Sequence, residues 1–113
     1  MAVNYNDEKL LVGRHETDEV PLAADVYYRG QLLAFNSGTG MYEDMDANQG
    51  TLAGIYLGNA ELVPETLNAG DIRTIIVGGE VNERGLVDNT GAVRTITVAN
   101  RAAWNILGFY VKR

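Results

Sequence analysis

The sequence contains no cysteine. That excludes disulfides, thiolate nucleophiles and cysteine-based zinc sites. It leaves the compartment open, because a cysteine-free chain suits reducing and oxidising surroundings alike. Histidine and serine occur once each, as His15 and Ser37. A Ser/His/Asp triad would have to use those two, with its base in the polar stretch from Gly13 to Glu19. A triad base needs a held, partly buried imidazole, so His15 reads as a solvated loop histidine and no enzyme is expected. No run approaches the ~18–20 apolar residues of a membrane-spanning helix. The stretch from Met1 to Lys9 has two acids and no apolar core, so a secretory signal is not expected either. A protein leaving its cell would then need another route, such as lysis. Basic residues are scarce: nine Lys and Arg face 15 Asp and Glu, a net charge of −6. That balance disfavours nucleic acid and anionic membranes as partners, since both require cationic side chains.

What is present suits one small domain. The chain has 113 residues, 46% of them hydrophobic, enough for a modest core. Charge is uneven: residues 1–56 hold nine acids and three bases, and residues 57–113 hold six of each. Residues 1–20 read as an arm, polar and acidic, interrupted only by Leu10-Leu11-Val12 before Pro21. One short apolar run cannot build its own core, but it can pair as a strand with another surface. The competing reading makes it an edge strand of this same domain. Residues 21–113 read as the domain proper.

From Asp25 the pattern is short strands and glycine turns. Val26-Tyr27-Tyr28, the turn Arg29-Gly30 and Gln31 to Phe35 read as strand, turn, strand. The loop Asn36-Ser37-Gly38-Thr39-Gly40 follows, built from residues that tolerate tight backbone. Thr51 to Leu57 reads as a strand. So does the β-branched run Ile72 to Val77, ended by Gly78-Gly79 in a bend or bulge. Thirteen glycines spaced in this way predict an α+β, mainly β, loop-rich domain.

One short C-terminal helix is well marked. Thr97 is its expected N-cap, and Gly108 its expected C′ residue. Between them Val98, Ala99, Ala102, Ala103, Ile106 and Leu107 share one apolar face at about 3.6 residues per turn. That face is expected to meet the core. Asn100, Arg101, Trp104 and Asn105 then point away from it. A tryptophan so placed needs a cover. Trp104, with Arg101 beside it, is therefore expected at a subunit contact, the alternative being a loop of the same chain folded over it.

Glu43 to Gly50 is the best place for a cation, with Asp44, Asp46 and Asn48 alternating as hard oxygen donors. The calcium-loop match fails at its glycine and glutamate positions, which fall on Gln49 and Ile55. A solvated acidic turn is the plain reading, and no cofactor or metal is expected.

The order of features resembles a known family. The acidic arm precedes Val26-Tyr27-Tyr28-Arg29-Gly30-Gln31-Leu32-Leu33, and the Gly-x-Gly-x-Tyr turn Gly38-Thr39-Gly40-Met41-Tyr42 follows. Ala53-Gly54-Ile55 and Gly78-Gly79-Glu80-Val81 come next, then an alanine-rich helix closing as Leu107-Gly108-Phe109-Tyr110-Val111. Over roughly residues 10–113 this resembles the bacteriophage head decoration, or capsid cement, proteins related to the lambda capsid-stabilising protein D. The resemblance implies a β-clip or β-tulip fold without catalysis. It implies a homotrimer on the outer surface of the mature phage head, made in the bacterial cytoplasm and bound to the major capsid protein. It also implies a flexible arm that orders by pairing with capsid strands, a role falling here to Leu10, Leu11 and Val12. The reading from another class is a small acidic module binding a ligand or divalent metal around Glu43 to Gly50.

Overall fold

The computed structural model describes residues 10–48, 50–58 and 64–112. Among these residues eight strands and two α-helices follow in the order β1 (Leu11–Leu22), β2 (Asp25–Tyr27), β3 (Leu32–Asn36), β4 (Met41–Asp44), α1 (Met45–Asn48), β5 (Gly54–Tyr56), β6 (Glu65–Leu67), β7 (Asp71–Asn82), α2 (Val98–Ile106) and β8 (Phe109–Lys112), with a 3-10 turn at Glu83–Gly85. The fold is α+β and mainly β, with a helix where the capping residues place one. Six strands run in the order β1-β4-β3-β5-β7-β8, and β1 also pairs with β7. The pairings β1-β4-β3-β5-β7-β1 therefore form a ring, closed between β1 and β4 only by the pair Leu22↔Tyr42. β2 does not pair with β3 as strand, turn, strand suggests; it pairs with β6 in a separate two-stranded ribbon.

The three central strands carry adjacent apolar pairs rather than an alternation. In Leu32-Leu33, Ile55-Tyr56 and Ile75-Ile76 all six residues are buried. Successive side chains on a strand point to opposite faces, so each pair feeds two cores. Leu32, Ile55 and Ile76 join Leu10, Leu52, Val81, Leu86, Trp104, Phe109 and Val111. Leu33, Tyr56 and Ile75 join Val20, Leu22, Tyr27 and Leu67. A sheet covered on both faces reads as continuous apolar pairs for this reason.

The expected arm is corrected here. Residues 11–22 form β1, paired antiparallel with β7 from Leu11↔Val81 to Leu22↔Asp71. The boundary expected at residue 20 therefore falls inside a strand. The pairing extends to Leu10, whose carbonyl accepts from the Asn82 N–H at 2.8 Å. Two forces overcome the polar composition. A twelve-residue strand such as β7 leaves a row of backbone groups needing partners. Leu10, Val20 and Leu22 are buried near the two ends of the segment, each worth about 1.5–3 kcal/mol. The part of the expected arm before Leu10 lies outside the described residues.

Gly78-Gly79 does not end the strand; β7 runs on to Asn82. The register between β1 and β7 shifts here, with His15 opposite Gly79 and Glu16 opposite Gly78. Gly79 has φ of +107°, and a Cβ there would stand 2.4 Å from the Arg14 carbonyl oxygen. Only glycine permits β1 to approach so closely.

Candidate functional site

Helix α2 begins as its sequence dictates. The Thr97 hydroxyl accepts from the Asn100 N–H at 3.0 Å, and Gly108 follows at φ of +97°. Its rotation is the reverse of the expected one. Trp104 is 5% exposed and sits in the core with Leu86, Phe109 and Val111. Val98 is 78% exposed and Ile106 86%; Ala99, Ala102, Ala103 and Leu107 are also exposed. The ground for placing Trp104 at a subunit contact is thus removed, because its own chain covers it. Arg101 lies on the inward side as well. It donates to the Val111 carbonyl at 2.7 Å and forms an ion pair with Glu83. One large aromatic, which buries roughly 150–250 Å2, and this guanidinium tie fix the rotation against a stripe made half of alanine.

The stripe is left as an apolar surface of the folded chain. Tyr110, 48% exposed on β8, extends it. Two hollows flank that ring. A groove of about 370 Å3 is lined by Val98, Arg101, Ala102, Asn105, Tyr110, Val111 and Lys112. A pocket of about 540 Å3 is lined by Arg14, His15, Glu16, Gly79, Glu80, Gly108 and Tyr110.

The segment expected to bind a capsid divides. Leu10 is buried in the core, Leu11 is half-buried against it, and Val12 lies within β1. No apolar side chain of Leu10 or Leu11 is therefore presented as an anchor. β1 has another resource. Its contact with β4 is confined to Leu22↔Tyr42. From Gly13 to Val20 the edge facing away from β7 has no strand partner among the described residues.

The acidic stretch is not a solvated loop. Asp44 is buried and accepts from Ala47 N–H at 2.7 Å, from Gln31 Nε2 at 2.8 Å and from Asn89 Nδ2 at 3.3 Å. It caps the single turn α1 and ties the loop around Asn89 to the sheet. Asp46 forms an ion pair with Arg94. Both carboxylates that a cation would need already have partners. Among the described residues no three His, Asp or Glu side chains form a group that could hold a metal.

On the opposite core, Tyr27 and Tyr56 stack at 5.2 Å between ring centroids. Tyr56 donates its hydroxyl to Glu65, which also accepts from Arg73 Nε at 3.3 Å. Burial first, and then the Glu65 carboxylate, push the Tyr56 hydroxyl well above the usual phenol range. Burial does the same for Tyr27, with Asp25 next in effect. This network fastens the end of β5 to β6 and β7.

Compared with known protein families and with curated proteins, the chain matches none. Periodicity finds the stripe but misses that it faces outward. The signal for that was Trp104 itself, the single large apolar residue on the face otherwise made of Asn and Arg.

Proposed function

We propose that this chain is a non-catalytic structural protein of a bacteriophage head. It decorates the outer surface of the mature shell as a homotrimer and strengthens the shell against the pressure of packaged DNA. The observation that carries the reading is the outward apolar stripe of α2. Six adjacent small and aliphatic side chains in solvent mark an assembly surface rather than ordinary surface scatter. The ordered glycine and aromatic motifs, with their resemblance to head decoration proteins, supply the identity of the assembly.

The mode of shell binding differs from the flexible arm expected from the resemblance. Residues 10–22 are folded within the domain, so their binding needs no disorder-to-order step. The open edge of β1 offers backbone donors and acceptors for strand addition by a major capsid protein. Three such edges on one rigid trimer act together through effective concentration, even where each binds weakly. A pre-folded edge also avoids the ordering cost of about 2–5 kcal/mol that a disordered segment carries. The acidic balance keeps the free protein soluble and away from the genome.

Sedimentation equilibrium of the purified chain, followed by co-sedimentation with expanded and unexpanded heads, tests the reading. A threefold mass and binding to expanded heads alone are expected. A monomer that pellets with neither head form overturns it.

A further inference from the structure

The 540 Å3 pocket beside Tyr110 lies within the size range of small-ligand pockets. Its floor is backbone. Gly79 donates to the Gly108 carbonyl at 2.8 Å, and a Cβ on Gly108 would meet nothing within 4 Å. The floor is therefore wide open above residue 108. Two carboxylates line the pocket from the paired strands β1 and β7. Glu16 Oε1 reaches to 3.9 Å from where a Cβ on Gly78 would stand, and it forms no ion pair among the described residues. Glu80 packs against Gly13, and its one charged partner among the described residues is Lys112, at 3.9 Å. That distance is at the limit of an ion pair and leaves the Glu80 carboxylate largely uncommitted. The Tyr110 ring forms the third wall and is half in solvent. Arg14 is the one arginine of the lining, and it has no carboxylate partner among the described residues.

We propose that this pocket receives an arginine side chain of a protein partner, its guanidinium held between Glu16 and Glu80 and against the Tyr110 ring. A planar guanidinium matches a carboxylate with two parallel hydrogen bonds and also stacks on an aromatic face. No compact ammonium combines both. The pocket opens beside the unpaired edge of β1, so an extended partner pairing there would carry alternate side chains towards it. Arg14 stands in the same lining, and its positive charge repels an incoming guanidinium and lowers the apparent affinity. The inference goes beyond the shell reading, because a chain that never meets a phage head would bind the same group.

The test is an NMR titration of the full chain with Nα-acetyl-argininamide, following the backbone amides of Gly79 and Gly108. Saturable shifts at both are expected. Glu16→Gln with Glu80→Gln weakens them at least tenfold, and Arg14→Ala tightens them severalfold. Thermal melts of each variant check that the fold is kept. Equal shifts with Nα-acetyl-citrullinamide, a neutral analogue of the same shape, overturn the proposal. So do stronger shifts with the acetylated glutamate amide, or an unchanged titration in the double variant. Should that variant fail to fold, the arginine and citrulline comparison on the unmodified chain decides alone.

Discussion

Helix α2 and strand β1 are mirror cases. The helix has an apolar stripe and turns it to solvent, while β1 is polar over most of its length and is built into the sheet. The difference lies in what each element needs from its neighbours. A helix satisfies its own backbone, so side chains alone decide its rotation, and Trp104 with the Arg101 tie outweighs a stripe of three alanines with Val98, Ile106 and Leu107. A strand cannot satisfy its backbone alone. β1 is held by main-chain pairing with β7 and by buried residues near its two ends, whatever the polar residues between them prefer. Average hydrophobicity is therefore a poor guide to docking in both elements. A single large residue decides one and backbone hydrogen bonding decides the other.

The largest expected effect strikes the helix side of this comparison. Trp104→Ala opens a hole in the core that α2 covers and should cost about 3–5 kcal/mol, read by urea unfolding. If stability is unchanged and only the oligomer is lost, Trp104 is an interface residue and does not anchor α2 to the core. The strand side is tested by Leu10→Ala. As a core residue at the entrance to β1 it should cost about 2–5 kcal/mol. As part of a free arm it would cost nothing. Deleting residues 2–9 and, separately, 2–14 sharpens the point, because only the longer deletion removes Leu10 and should lower the melting temperature.

Tyr56→Phe is a control remote from both elements. It removes a hydroxyl that donates to a carboxylate, a bond worth about 1.5–3 kcal/mol. It should also change the alkaline limb. Tyr27 and Tyr56 hold their protons more tightly when folded than the ordinary value of 10.0 allows. Their contribution is complete below that value. It declines as pH rises above it, because the unfolded chain releases protons that the folded chain retains. Urea midpoints of the native chain should fall steeply above about pH 10, and less steeply in Tyr56→Phe. Parallel slopes would remove the Tyr56 hydroxyl from the alkaline transition.

Much of this architecture is legible in the residues. The mainly β class follows from the spaced glycines and β-branched runs. The ends of α2 follow from Thr97 and Gly108, whose local chemistry requires no tertiary partner. β3, β5 and β7 are marked by apolar pairs. Three features are not legible, each because a distant residue decides it. The rotation of α2 depends on the space available to Trp104 beside Leu86 and Val111. The incorporation of β1 depends on the length of β7, a strand far along the chain from it. The engagement of Asp44 depends on Gln31 and Asn89. The surface around Tyr110 is hidden for the same reason. Arg14 and Glu16 meet Glu80 and Tyr110 only through the β1–β7–β8 order.

The smallest expected change in folding energy carries the most information about assembly. Ile106→Glu places a charge in the outward stripe, at a side chain already 86% exposed. In a monomer this is an ordinary surface substitution and should alter stability by no more than about 0.5 kcal/mol. In an assembly that buries the stripe, it leaves an unpaired carboxylate in an apolar contact, and such a burial is strongly unfavourable. The variant should therefore sediment as a monomer that melts without dependence on its concentration, while the native chain melts at a higher temperature as concentration rises. Val98→Glu, one end of the same face away, should do the same. If both variants keep the native mass and the native concentration dependence, the stripe does not join subunits. The comparison between α2 and β1 would then stand as a fact about folding, with no bearing on assembly.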